Sequence, residues 1–310
     1  MSKLYDVIII GAGPAGLSAG LYAGRARLDT LIIEKAREGG QIVNTADIAN
    51  YPGSMEGESG ASLIERMKNQ AKQFGAETVY DTIIDAELSG EIKTIKGLAD
   101  TYQAKTLILA NGAQPALIGC PGEKEFTGRG VSYCATCDGA FFEDLEVYVV
   151  GGGDAAVEEA IFLTRYARKV TIIHRRNELR ASKSIQEKAM ENPKIEFMWD
   201  SVVKGLSGEE LLDTMIVENV KTGERREVKA DAGDGMFGVF VFIGFKPQTQ
   251  LYEGKLEMEN HYILTDDNMR TGIPGVFAAG DIRAKSLRQV VTATADGAIA
   301  ATQAEKYLAE

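Results

Sequence analysis

Cys134 and Cys137 stand three residues apart in the run Cys134-Ala135-Thr136-Cys137-Asp138. Sulfurs at that spacing can close a small-loop disulfide and reopen it by thiolate attack. Zinc is the rival ligand for such a pair, but tetrahedral zinc needs four ligands. The remaining candidates are Cys120, His174 and His261, so no metal site is expected. A structural cross-link suits an oxidising compartment, and three cysteines are too few for a disulfide framework. The pair reads as a redox dithiol. Asp138 follows it directly. A partly desolvated carboxyl beside two thiols can give and take protons; it can also cap a helix, and the two roles are compatible. Cys120 reads as a small apolar filler, Trp199 as packing and His261 as a surface residue, with no catalytic role for either histidine.

Two glycine loops could hold nucleotides. Tyr5–Ile10 is a short β-branched run, followed at once by Gly11-Ala12-Gly13-Pro14-Ala15-Gly16 and an Ala/Leu-rich helix to about Arg25. The next strand, Thr30–Ile33, ends in Glu34, 18 residues after Gly16. Glycines let the backbone approach a pyrophosphate, and the helix start supplies N–H groups and partial positive charge. Glu34 would accept from ribose hydroxyls, and an acid there disfavours a 2′-phosphate. The first site therefore fits FAD or NAD rather than NADP. A second loop, Gly151-Gly152-Gly153-Asp154-Ala155-Ala156, begins 14 residues beyond Cys137. Its following strand, Lys169–Ile173, ends in His174-Arg175-Arg176, with Arg180 close behind. Guanidinium groups pair bidentately with a phosphate dianion, so this loop fits NADP(H).

These loops need elements to carry them. Two βαβ units are legible, offset by about 140 residues from Gly11 to Gly151, with a boundary near Gln114-Pro115. Between them Gly39–Gly53 reads as a loop, Ser62–Phe74 as a helix with Leu63, Met67, Ala71 and Phe74 on one face, and Thr106–Ala110 as a strand. The helix after the second loop places Val157, Ala160, Ile161 and Thr164 on one face. Ile195–Trp199, Thr214–Val220 and Glu227–Lys229 look like antiparallel strands, with a hairpin turn at Lys221–Glu224. Phe237–Gly244 reads as a further strand. Gly275–Asp281 reads as a strand, a glycine turn and an acid, and a final helix is expected over 286–308.

Composition narrows the function classes. The 310 residues are 45% apolar and 25% charged, as in globular proteins, and no stretch approaches the roughly 18 apolar residues of a membrane span. A net charge of −11 argues against nucleic acid or an anionic membrane as partner, and makes the cluster at 174–180 more informative. The first strand begins by Tyr5, leaving no room for a cleaved leader, so a cytoplasmic location is expected.

Taken together, Gly11–Gly16, Gly39-Gly40-Gln41, Cys134–Gly139, Gly151–Asp154, His174–Arg176 with Arg180, and Gly280-Asp281 with Arg288-Gln289 resemble the low-molecular-weight NADPH-dependent thioredoxin reductases of bacteria. The resemblance covers nearly the whole chain. It implies an α/β architecture of two Rossmann-like, three-layer nucleotide-binding domains, the second inserted into the first: 1–114 and 245–310 for FAD, and 115–244 for NADPH and the dithiol. It implies FAD contacts from Gly11, Gly13, Pro14, Ala15, Gly16, Glu34, Gly40, Gln41, Asn50 and Gly112. Asp281 would meet the ribityl or phosphate part, and the backbone of Arg288, Gln289 and Val290 would face the flavin ring. It implies NADPH contacts from Gly151, Gly153, Asp154, Ala155, His174, Arg175, Arg176 and Arg180. Hydride would pass from NADPH via FAD to the disulfide, and on to thioredoxin or a thioredoxin-like small protein, in a homodimer. In that scheme Cys134 attacks the partner, Cys137 lies nearer the flavin and Asp138 manages protons. A flavin dithiol oxidase or a ferredoxin-fed reductase of the same fold should lack the basic cluster. Dithiol and NADPH sit in one domain yet need the same flavin ring, which predicts domain rotation about hinges near 111–115 and 244–247. Two departures stand out: Ala155, where the family commonly has serine, and a slightly long Asp231–Gly235 stretch, expected to be mobile.

Overall fold

The β-branched runs that precede each glycine turn become the central strands of two parallel sheets. A computed structural model describes residues 3–310 except Ala46, Asp47 and Ala49, and excludes the side chain of Asn44. The chain divides into two compact units, Met1–Gln114 with Lys246–Glu310, and Pro115–Phe245. The second unit thus interrupts the first in sequence.

In the first unit the strands Glu77–Tyr80, Thr30–Glu34, Leu4–Ile10 and Thr101–Leu109 lie side by side in that order, all parallel. Lys93–Gly97 and Ile83–Glu87 extend the sheet antiparallel, and Val276–Ala278 adds in parallel beyond Lys93 on the edge of Thr101–Leu109. Val7, Ile8 and Ile9 are wholly buried because both sheet faces are covered. Alternation sends Val7 and Ile9 to one core and Ile8 and Ile10 to the other. On the first face the helix Pro14–Arg25 meets the last helix, Val290–Ala309. Small residues permit the approach: a Cβ on Gly297 would stand 2.1 Å from the Ala15 carbonyl oxygen.

In the second unit five strands run parallel in the order Ile195–Met198, Lys169–Ile173, Glu146–Gly151, Gly238–Phe242 and Val131–Ser132. Helix Asp154–Leu163 covers one face. A three-stranded antiparallel sheet, Ser201–Ser207, Thr214–Asn219 and Arg225–Lys229, packs on the other. The two chain crossings are themselves paired, as a ribbon of Ala113–Pro115 with Phe245–Pro247.

Several expectations are corrected. Ile195–Met198 pairs in parallel with Lys169–Ile173, not antiparallel. Four residues carry too little periodicity to reveal direction. Besides Arg225–Lys229, Thr214–Asn219 has a second antiparallel partner, Ser201–Ser207, whose pattern is broken by Lys204 and by an irregular register between Val203 and Gly205. The helix after Gly153 ends at Leu163 and buries Ala156, Val157, Ala160 and Leu163, leaving Ile161 and Thr164 half-buried. Phe74 lies just beyond its helix, Gly60–Gln73, and is exposed. The final helix starts at Val290 rather than 286, since Gln289 caps it in a reciprocal box with Thr292. In the Asp231–Gly235 loop, Asp231 and Asp234 pair with Arg168 at 2.5 Å and 2.6 Å.

Candidate active site

In the second unit Cys134 and Cys137 are joined as a disulfide across a single helical turn, Ala135–Asp138, with their Cα atoms 5.3 Å apart. Both are partly exposed, and Thr136 between them is fully so. Thr136 Oγ1 lies 3.4 Å from Cys134 Sγ. The Asp138 carboxylate accepts from the buried Ser132 hydroxyl at 2.6 Å. The same hydroxyl oxygen accepts from the Cys134 N–H at 3.1 Å. Ser132 therefore ties the carboxyl to the backbone of the first cysteine. Burial holds the Asp138 carboxyl above the usual carboxylate range, partly offset by that hydrogen bond. Such a group can carry a proton where an ordinary aspartate would not. Cys120 packs in the apolar layer beneath the antiparallel sheet, and burial with the nearby Glu123 pushes its thiol up to about 11. It lies against apolar side chains, the surroundings its sequence context suggests.

The loop Gly151–Gly153 caps the same sheet at its carboxyl end. A Cβ on Gly151 would stand 2.5 Å from the Phe242 carbonyl oxygen, and one on Gly152 would strike the His174 ring at 2.3 Å. Gly153 has nothing within 4 Å of its missing Cβ, although its φ of −91° suits any residue. Packing does not require that glycine, and the space beside it is open to the close approach of a ligand. Asp154 accepts from the Ser182 N–H at 2.7 Å, and the Arg180 N–H donates to the Gly152 carbonyl at 2.7 Å. These bonds fold the 175–182 segment back over the loop. Arg175, Arg176 and Arg180 are exposed, and their side chains have no hydrogen-bond or ion-pair partner among the described residues. His174 is buried with Nε2 unpartnered, and burial together with the three arginines lowers its pKa.

The first unit gathers its candidates at the carboxyl ends of its parallel strands, where open α/β sheets bind ligands. Gly16 is obligatory for packing, since its Cβ would stand 1.8 Å from the Gly11 carbonyl oxygen. Gly13 is not: its nearest neighbour would be 4.0 Å away, and its φ is −76°. It begins the helix Pro14–Arg25 with no side-chain cap hydrogen bond among the described residues. Gly40 lies beside it, and the Gly39 N–H donates to the Ala12 carbonyl at 2.8 Å. Glu34 Oε2 accepts from the Ala12 N–H at 2.8 Å, fixing its carboxylate over the loop. Asn50 reaches Gln289 at 3.1 Å across 239 residues of sequence. Gly112 follows the strand Thr101–Leu109 at positive φ, next to Asn111, whose Oδ1 accepts from the buried Tyr252 hydroxyl at 2.9 Å. The Arg288 guanidinium lies over the Tyr262 ring, 4.1 Å from its centre, with Nε unpartnered.

Asp281 Oδ1 is buried with no hydrogen-bond partner among the described residues, and burial raises its pKa. A carboxylate oxygen withheld from water and from the protein is suited to an incoming hydroxyl donor. The open Gly13 face, the uncapped helix and this orphan oxygen together fit a dinucleotide with a polyhydroxyl arm. Sequence reasoning missed what stands behind it. Asp296 is buried and accepts from the Gly280 N–H at 3.0 Å, Arg283 Nη1 at 3.1 Å and Lys285 Nζ at 3.0 Å. It also missed Glu123, which is buried beside the dithiol segment and accepts from Ile118 N, Gly119 N and the Tyr133 hydroxyl. An acid inside an alanine-rich helix was the one available signal for Asp296.

Residues 5–297 match the family model of the pyridine nucleotide-disulphide oxidoreductases. A thioredoxin reductase of Peptoclostridium acidaminophilum is 60% identical over 309 residues, covering 99% of this chain and 98% of that protein. The crystal structure of thioredoxin reductase from Streptococcus pyogenes is 46% identical, covers 100% of this chain and 99% of its own, and superposes with a TM-score of 0.93. That of Lactococcus lactis, in what is named the FR conformation, is 44% identical with coverages of 98% and 99% and a TM-score of 0.67. On these grounds the chain belongs to the thioredoxin reductases, within the pyridine nucleotide-disulphide oxidoreductase family.

Proposed function

We propose that the chain transfers two electrons from NADPH, by way of FAD, to the Cys134–Cys137 disulfide, and from the resulting dithiol to thioredoxin or a thioredoxin-like small protein. The observation that carries this reading is the disulfide with Asp138 at its end, in the unit that also carries an open glycine loop flanked by three unpaired arginines. FAD and NADPH are the cofactors of the family, and when bound they supply the electron pair that opens the disulfide. Opening it consumes two electrons and two protons and leaves two thiols. Asp138, held by Ser132, is placed to carry one of those protons. Cys134, as thiolate, then attacks the partner's disulfide, forming a mixed disulfide and expelling the partner's thiolate. Cys137 attacks that mixed disulfide, which regenerates the pair and releases reduced partner.

The first unit holds FAD on Gly11–Gly16, Glu34, Gly40, Gln41, Asn50, Gly112, Asp281 and 288–290. The second holds NADPH on Gly151, Gly153, Asp154, Ala155, His174 and the three arginines. Arginines rather than an acid at the end of the second strand favour the 2′-phosphate and disfavour the oxidase and ferredoxin-fed alternatives. Because dithiol and NADPH share one unit and need the flavin of the other, the second unit rotates between half-reactions. The hinges lie in the paired crossings, where Gly112 and Gly244 have positive φ and open surroundings. The unequal superposition of two relatives of nearly equal identity supports more than one arrangement within the family. The enzyme works as a homodimer in the cytoplasm, without nucleic acid or membrane as partner; no described helix is long and apolar enough to cross a membrane.

The test is anaerobic NADPH oxidation with and without thioredoxin. Cys134→Ser should keep flavin reduction by NADPH and lose thioredoxin turnover. Full turnover in that variant would place the nucleophile elsewhere.

A further inference from the structure

Four charged side chains meet behind the Gly280-Asp281 turn. Lys285 and Asp296 each keep only 9% of their side-chain surface, and Arg283 keeps 13%. Asp296 sits at the centre, with Oδ2 receiving Lys285 Nζ at 3.0 Å and the Gly280 N–H at 3.0 Å, and Oδ1 receiving Arg283 at 3.1 Å. Arg283 also donates to Thr265 Oγ1 at 2.9 Å, and Lys285 to Thr292 Oγ1 at 3.1 Å. Asp281 completes the set, its Oδ1 3.6 Å from Lys285 Nζ, an ion-pair distance but beyond a hydrogen bond.

The charges cancel, two cations against two carboxylates. The geometry is not symmetric, however. Asp296 has three charged or backbone donors, whereas Asp281 has Lys285 just out of hydrogen-bond range, Arg288 acting through its charge, and an Oδ1 with no donor among the described residues. Arg283, Lys285 and Asp296 are buried, while the Asp281 side chain keeps 36% of its surface; a buried ion group is rarely worth its desolvation cost for stability alone. Desolvation, with a smaller push from Asp296, raises the Asp281 pKa, while Lys285 and Arg288 oppose that rise and favour the ionised form. Tyr262, under Arg288, is itself held protonated by burial.

We propose that Asp296 and Lys285 are positioning residues that keep Asp281 ionised and one of its oxygens vacant for a hydroxyl of the bound FAD. Asp296 fixes Lys285 at the distance where its charge stabilises the Asp281 carboxylate without occupying it. Through the Gly280 N–H it also sets the turn that presents the carboxylate. The proposal rests on the reading that the first unit binds FAD.

The experiment uses purified holoenzyme. Flavin release on dilution is followed by FAD fluorescence, and melting is measured with and without excess FAD across a pH series. Wild type should show FAD-dependent stabilisation; its absence would fail the FAD reading itself and leave no basis for the proposal. Lys285→Met should weaken FAD binding about ten-fold or more, the scale of one charged hydrogen bond. The loss should deepen as pH falls, because Asp281 then takes up a proton more readily. Asp296→Asn should do the same, and Lys285→Arg should restore most of the affinity. In an Asp281→Asn background, Lys285→Met should cost little further, since the group it serves is gone. Three results would overturn the proposal: an equal drop in melting temperature with and without FAD, a loss independent of pH, or a full additional loss in the Asp281→Asn background.

Discussion

At Gly13 and Gly153 a methyl group would meet nothing nearer than 4.0 Å, whereas at Gly16 it would stand 1.8 Å from a carbonyl oxygen. The same residue type thus does two jobs that substitution separates. Gly16→Ala should destabilise the fold by several kcal/mol, on the order expected for forcing a backbone clash. Gly13→Ala and Gly153→Ala should leave the melting temperature of flavin-free protein unchanged, while the first sheds flavin and the second raises the Michaelis constant for NADPH. A fall in apo stability for either would assign those glycines to packing. The arginines act at this scale too. Losing Arg175 and Arg176 together should raise the NADPH constant by about ten-fold or more per charged hydrogen bond lost, with the NADH constant unmoved. Equal effects on both nicotinamides would mean that the pair faces water. At Ser132→Ala the hydrogen bond favouring the Asp138 carboxylate disappears, so the carboxyl, already raised by burial, rises further. The limb of the pH–rate profile that reports Asp138 should move to higher pH. A shift to lower pH, or none, would show that Ser132 does not tune this group.

Among the elements, the sequence was most legible where both sides of a strand are covered. Ile8 and Ile9 of Leu4–Ile10, or Val149 of Glu146–Gly151, are buried whichever way they point, so an unbroken apolar run announces them. The glycine turns were legible for the same kind of reason: the backbone there needs a residue without Cβ. What stayed hidden depends on partners far along the chain. Ser201–Ser207 becomes a strand through pairing with Thr214–Asn219, not through its own pattern. Glu77–Tyr80, Ile83–Glu87 and Lys93–Gly97 are short and half-polar, and carry no comparable signal. Asp154 is read from sequence as a nucleotide contact, yet its carboxylate accepts from the Ser182 N–H and anchors the segment bearing Arg180. Asp154→Ala should therefore loosen that segment, raising local hydrogen exchange at 180–183 as well as the NADPH constant. Unchanged exchange there would remove its anchoring role.

For the whole molecule, each unit has its own sheet, parallel at its centre, with a core on both faces, and among the described residues none of one unit belongs to the other's clusters. Segment 115–245 expressed alone should fold cooperatively, bind NADPH and purify colourless. A yellow fragment, or an unfolded one, would contradict the division of cofactors between the units. Gly244 has a φ of +116° at one crossing, a conformation that resists a branched side chain. Gly244→Val should slow turnover with thioredoxin while leaving the flavin spectrum intact; equal kcat would place the moving part elsewhere. All of these expectations presuppose one electron route. Its most direct test is to add NADPH anaerobically to the holoenzyme, block free thiols with an alkylating agent and locate the label by mass spectrometry. Label should appear on Cys134 and Cys137 only after NADPH, with Cys120 unchanged between the two samples. If Cys134 and Cys137 stay joined while NADPH is in excess and the flavin is bleached, the electrons do not reach them and the account fails.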